Sequence, residues 1–168
     1  MSPEIRKPEM RIGCGWDSHE FKSGIPLKIG GVVLPHDKGL GGHSDGDVLL
    51  HAITDALLGA IAGPDIGALF PPSDAQWKNA DSAIFLREAL QRVKNASYEL
   101  VNLDSTLILS APKIGPHADA IRKRVAELCG ISTDCVGIKA KTPEGMGTEN
   151  AAIANVAVLL KRSKLRRK

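Results

Sequence analysis

The apolar pattern of this chain predicts a single α+β domain, with a mixed β-sheet of about four main strands and helices on one face. Three observations carry that reading. Leu49, Ile53, Leu57 and Ile61 recur at helical spacing and mark one long buried helix. Residues 98–110, 136–142 and 151–161 are short apolar stretches between Gly, Pro and polar breaks, and they read as strands. The length of 168 residues and an apolar fraction of 43% suit one core, and no internal repeat divides the chain.

Residues 10–16 form the first strand, with Asp17 and His19 at its end. Cys14 falls on the opposite face from Asp17 and reads as a buried small hydrophobe. Residues 26–34 alternate around Gly30-Gly31, a hairpin signature. Glycines at 39–42 break the chain before the central helix, whose cap is assigned to Ser44, with Asp47 at the capping-box position. Gly63-Pro64-Asp65 ends that helix. Residues 66–77 have no period and are rich in Pro, Ser and Asp, which predicts a mobile loop beside the site. A second helix spans 80–95, with Ile84, Leu86, Leu90 and Val93 inward. A long strand follows around Leu100, Val101, Leu103, Leu107 and Leu109. Pro116 opens a third helix that buries Ile121, Val125 and Leu128 and stops at Gly130. Two strands, 136–142 and 151–161, complete the sheet.

Composition excludes several function classes. Charges, Gly or Pro interrupt every apolar run before membrane-spanning length, so no membrane partner is expected. The first ten residues are a short polar extension without a signal-type apolar core, and a cytoplasmic protein fits best. Three cysteines at unrelated spacings read as reduced thiols. The net charge of +3 is misleading, because six of the last eight residues are basic, and removing those six charges leaves −3 on residues 1–160. A frayed basic tail at 161–168 explains that charge, and no nucleic-acid partner is expected. The domain itself is assigned to 11–160. Aromatic residues are only 4%, and several strands show little polar alternation. Sheets covered on both faces read this way, which in so small a chain hints at association through the sheet.

The chemistry concentrates in two places. Asp47, His51 and Asp55 lie at i, i+4 and i+8 on a helix stripe distinct from the apolar one. Such a stripe is commonly just a wet face. It also suits a metal, and a capped helix start suits a phosphate. Upstream, Asp17 and His19 are two apart and share a face if the strand is extended. Two ligands from a strand and one from a helix make a three-point site with a coordination position open.

Asp17-x-His19, followed by the 42–60 block GHSDGDVLLHAITDALLGA, resembles the 2-C-methyl-D-erythritol 2,4-cyclodiphosphate synthases of the non-mevalonate isoprenoid pathway. Asp65-Ile66-Gly67 leading to Phe70-Pro71, then Ala111-Pro112-Lys113, and finally residues 139–145 (KAKTPEG) agree in order, so the resemblance covers about 11–160. It implies a phosphorus–oxygen lyase that turns 4-diphosphocytidyl-2-C-methyl-D-erythritol 2-phosphate into the cyclic diphosphate and CMP. It also implies a homotrimer with sheets around a threefold axis and active sites at subunit interfaces. By the same resemblance, Asp17, His19 and His51 hold a divalent ion, usually Zn2+, and Glu144 holds Mg2+ or Mn2+ bridging the diphosphate. His43 and Thr142 support the transition state. His43 and Ser44 contact phosphate, Asp65 and Gly67 the ribose, and Ser110, Ala111, Pro112, Lys113, Ile114 and Gly115 the cytosine. Asp47 and Asp55 orient ligands or cap the helix.

Four positions depart from the family pattern. Cys14 stands where His is common and is not among the implied ligands. Pro72-Ser73-Asp74 replaces an Asp directly after Phe-Pro, leaving Asp74 for the methylerythritol hydroxyls. Lys141 replaces a Thr beside Thr142 and offers either a phosphate contact or merely a surface charge. Gly147-Thr148-Glu149-Asn150 is shorter than the usual Gly-Phe-x-Gly-Arg-x-Glu-Gly, so no anion cavity is expected on the threefold axis. The rival readings are a zinc-dependent phosphoester hydrolase and a non-catalytic trimeric nucleotide-binding protein.

Overall fold

The computed structural model describes residues 7–163, so most of the N-terminal extension and of the basic tail lies outside the described residues. In chain order the elements are β1 (Met10–Ser23), β2 (Leu27–Ile29), β3 (Val32–Leu34), β4 (Lys38–Leu40), α1 (Val48–Ala60) and the single turn α2 (Ile66–Leu69). They continue with α3 (Ala83–Asn95), β5 (Tyr98–Ile108), α4 (Ala118–Cys129), β6 (Val136–Lys141) and β7 (Ala151–Arg162). The main sheet has five strands in the order β4-β1-β7-β5-β6, and β2-β3 forms a separate hairpin. Among the described residues only the β5-β6 pair is parallel, and α4 supplies the crossover that a parallel neighbour requires. The α+β mixed sheet is as predicted, with the short edge strand β4 in addition. Lys161 and Arg162 continue β7 into the stretch expected to be tail.

Helices cover one face of this sheet. On that face β1 presents Gly13 and Gly15, and α1 packs so closely that a Cβ on either would lie 1.9 Å from a helix carbonyl oxygen, of Ala56 and Ala52 respectively. Arg11 donates from its guanidinium to the Ala60 carbonyl, which ties down the end of α1. α1 is buried almost all round. On the other face of the sheet no helix among the described residues lies over Ile12 and Trp16, which are 75% and 56% exposed. Cys14 shares that face and is exposed, not buried as expected, although its placement opposite Asp17 is correct. All three cysteines are free. Burial pushes the Cys129 thiol up to about 12, so that side chain behaves as a small hydrophobe.

Several local expectations change. Strand β1 runs past Asp17 and His19 to Ser23, because β7 pairs with it from Met10 to Glu20 and β4 takes over beyond. In α3, Leu86 and Val93 are buried and Leu90 packs against the core as expected, but Phe85 takes the inward position expected of Ile84, which is exposed. A bulge between Leu100 and Asn102 explains why two adjacent apolar residues, Leu100 and Val101, interrupt the alternation in β5. Segment 66–77 is not structureless. Asp65 caps α2 and Asp74 caps a 3-10 turn at Ala75–Trp77, each through its carboxylate. Gly130, left-handed at φ 67°, ends α4 as predicted.

Candidate active site

The start of α1 is built by Asp47. Its carboxylate accepts from Leu50 N–H within the helix and from the Gly30 and Gly31 N–H groups of the hairpin turn, at 2.8 and 2.6 Å. Those glycines stand at φ 62° and 76°, the left-handed pair that a two-residue turn needs. Asp47 is therefore the cap that was assigned to Ser44. Burial pushes its carboxyl up, against the pull of the three N–H donors. Asp55, also on the stripe, accepts from Ile66 N–H at 2.7 Å and anchors α2. The stripe is no wet face, since Asp47 is fully buried and His51 is 8% exposed.

His51, one turn into α1, meets the two side chains from β1. Asp17 Oδ2, His19 Nε2 and His51 Nδ1 are mutually 2.9–3.0 Å apart. Such spacings suit three donors sharing one ion at ~2.0–2.1 Å, and two imidazoles with one carboxylate are a zinc-type set. Burial works against ionisation of Asp17, but the close contacts with the His19 and His51 imidazoles outweigh it and hold its carboxyl far below the usual range. Burial likewise lowers His19, but the Asp17 contact outweighs it and raises the imidazole. A cation must displace that proton. Its affinity should therefore fall as pH drops through the raised His19 value, by up to about tenfold per pH unit. Competition titrations with a chromophoric chelator between about pH 8 and about pH 6 measure this.

A cavity of about 210 Å³ opens over the triad, lined also by His43, Ser44, Gly67, Phe70, Trp77 and Phe85. Phe70, Trp77 and Phe85 interlock, with ring centroids 4.5–5.7 Å apart. His43 Nε2 reaches the Asp74 carbonyl at 3.4 Å, and Ser44 Oγ lies 3.0 Å from His51 Nε2. A second cavity, about 340 Å³, is lined by Ser110, Pro112, Lys113, Ile114, Gly115, Lys141, Thr142 and Glu144. There Thr142 donates to the Glu144 carboxylate.

The expected site residues thus fall into two groups that share no lining residue. The ladder pairs His19 with Ala152, Ile153 with Ile108 and Ile108 with Lys141, so both groups sit at one end of the sheet. Three strand spacings, about 14 Å, separate the backbones of His19 and Lys141. Ala111 lines neither cavity but borders a third, beside Ser110. Asp65 and Asp74 each use one carboxylate oxygen as a cap in this chain.

Residues 10–161 match the model of the YgbB family. The chain belongs to that family. The 2-C-methyl-D-erythritol 2,4-cyclodiphosphate synthase of Koribacter versatilis is 60% identical over 153 residues, 91% of this chain and 99% of that protein. A solved structure of 2C-methyl-D-erythritol-2,4-cyclodiphosphate synthase superposes with a TM-score of 0.85 at 42% identity, covering 90% of this chain and 100% of that one. Another, of a form with CDP bound, gives a TM-score of 0.85 at 40% identity, with the same coverage. The resemblance read from the motifs therefore holds across the YgbB domain.

Within this family member the sequence reading missed the aromatic wall and the polar residues behind His51, of which Ser82 is buried and Lys28 and Asp45 half-buried. The first had a signal, since only six aromatic residues exist and three of them cluster here. The second includes Lys28, Asp45 and Ser82, which come from three separated segments. Lys28 Nζ contacts Asp45 at 2.6 Å and Asp81 at 3.1 Å. Burial acts against the Asp45 charge, but the hydrogen bonds from Lys28 and Ser82 outweigh it and hold the carboxyl below its ordinary value. No helix among the described residues is long and apolar enough to cross a membrane.

Proposed function

We propose that this protein converts 4-diphosphocytidyl-2-C-methyl-D-erythritol 2-phosphate into 2-C-methyl-D-erythritol 2,4-cyclodiphosphate and CMP. The observation that carries the reading is the convergence of Asp17, His19 and His51 on one point beneath a cavity at the start of α1. The family membership and the relatives' shared activity support it.

In this reaction an oxygen of the 2-phosphate attacks the β-phosphorus. A new P–O bond closes the ring, and the bond from that phosphorus to the oxygen bridging it to the α-phosphorus breaks, so that CMP leaves with its electrons. The nucleophile is already ionised near neutral pH, and no general base is required. The protein must instead fold the substrate into line and offset the repulsion of two anions. A divalent cation held by Asp17, His19 and His51, zinc by donor type, supplies Lewis-acid stabilisation of the phosphate charge. Glu144, a single exposed carboxylate, suits Mg2+ or Mn2+ held largely by phosphate oxygens. His43 and Ser44, whose side chains line the triad cavity, donate to phosphate, and Thr142 supports the transition state. Gly67 and Asp65 meet the ribose, and Asp74 and Phe70 bound the methylerythritol end. Residues 110–115 hold the cytosine, with Lys113 and Lys141 adding positive charge.

The separation of the two cavities favours a site shared between copies of the chain. The open face carrying Ile12, Cys14 and Trp16 supplies an apolar surface for that association, and the family resemblance implies a trimer. In the trimer one subunit's triad faces its neighbour's cytosine pocket.

Incubating the purified protein with the substrate and following CMP and the cyclic product tests the reading. Release of CMP with a ring closed from the substrate's own phosphate supports it. Incorporation of solvent oxygen indicates a phosphoester hydrolase, and no turnover indicates a nucleotide-binding protein. Lys113→Ala should raise KM by about tenfold, the value of one exposed charged hydrogen bond, with kcat little changed. A pure loss of kcat in steady-state kinetics contradicts its assignment.

A further inference from the structure

We propose that Ser82, Asp45 and Lys28 form a positioning relay that fixes the tautomer and orientation of His51, so that its Nδ1 lone pair faces the cation site. The inference rests on the metal reading above and concerns residues outside the cavity lining.

The proton inventory decides the direction of each bond. Ser82 is fully buried and has one hydroxyl proton. That proton goes to Asp45 Oδ1, because an ionised carboxylate can only accept. Ser82 Oγ also lies 2.8 Å from His51 Nε2, and with its own proton committed it must accept there. His51 therefore carries its proton on Nε2. Nδ1, 3.0 Å from Asp17 Oδ2 and from His19 Nε2, is left as the ligand atom. Asp45 is held in turn by Lys28 Nζ at 2.6 Å and by Ser82 N–H at 3.2 Å. A histidine ligand whose far N–H is held in this way is oriented and made more basic toward a metal.

A second observation is independent of those distances. Ser82 occupies the cap position of α3, where serine normally accepts from a helix N–H, yet its side chain makes no such bond. Asp81 accepts from Ala83 N–H instead. The serine hydroxyl is thus withheld from the usual capping role and turned toward the histidine. Ser44 lies 3.0 Å from the same nitrogen but lines the cavity, so its own hydroxyl proton is free for a phosphate. The two serines divide the work, one behind the metal and one in front.

The test measures Zn2+ affinity of the full-length protein by chelator competition, beside the melting temperature of the metal-free form. Ser82→Ala should bind Zn2+ on the order of 10–100-fold more weakly while the metal-free protein still melts cooperatively. Asp45→Asn should weaken binding in the same direction by a smaller factor, and it decides the matter if Ser82→Ala fails to fold. In the zinc-loaded wild type, a slowly exchanging downfield imidazole N–H resonance should be present, and Ser82→Ala should lose it. Folded variants with wild-type Zn2+ affinity and an unchanged resonance overturn the relay and leave the metal site standing. A wild-type protein that binds no Zn2+ overturns both.

Discussion

Replacing His51 with alanine should cut turnover by about 10³-fold or more, because a bound cation contributes several kcal/mol to stabilising phosphoryl charge and each ~1.4 kcal/mol is tenfold. The three donors of the triad come from only two elements, two of them from β1. The helix therefore contributes one imidazole, and its loss leaves Asp17 and His19 alone on a strand, too few donors to retain zinc against solvent. The fold should survive. His51 is near the cavity rather than deep in the apolar core, and Ser82 keeps Asp45 as a partner when the imidazole is gone. The expected result is a chain that melts cooperatively, keeps the wild-type light-scattering mass, contains no stoichiometric metal and releases almost no CMP. Full activity in a metal-free His51→Ala protein removes the proposed centre.

Gly15→Ala should destabilise the protein by about 3 kcal/mol or more, an overpacking penalty at its upper end. The added Cβ would lie 1.9 Å from the Ala52 carbonyl oxygen and 2.7 Å from Ala56 N, both atoms of the α1 backbone. No rotamer change relieves a collision between two backbones, so the helix must lift from the sheet. Ala52 adjoins His51, and the lift carries His51 away from Asp17 and His19. Thermal melting should fall by roughly 6–12 °C, at ~2–4 °C per kcal/mol for a domain of this size. Zn2+ affinity should fall in the same variant. An unchanged melting temperature means that α1 does not sit on β1 as described. Gly13→Ala, whose Cβ meets Ala56 and Ala60, should behave alike at the far end of the helix.

Those glycines show where the sequence reading stopped. They were passed over as part of a strand, because the need for a bare Cα arises only when a helix lies across it. The same limit explains Ser44 and Asp47. Both residues are competent caps, and the choice between them depends on Gly30 and Gly31, which lie far back in the chain and offer their N–H groups to Asp47. Cys14 was placed on the correct face and given the wrong burial, since alternation states which side a residue occupies but not what covers that side. Phe85 rather than Ile84 turns inward, because the aromatic partners Phe70 and Trp77 receive it.

Local order was legible wherever neighbours in sequence supply the cause. The hairpin at Gly30-Gly31, the stop at Gly130 and the strands at 98–110, 136–142 and 151–161 are fixed by nearby residues, and the Asp17-x-His19 and 42–60 motifs carried the family. The meeting of Asp17, His19 and His51 was anticipated from the motifs; tertiary structure alone decided that α1 presses against β1, that the three donors lie within 3.0 Å of one another, and that Lys28, Asp45 and Ser82 line up behind them. Those contacts join residues tens of positions apart. Periodicity reports which face of an element is apolar, whereas the distance at which two faces meet depends on packing that no single segment contains.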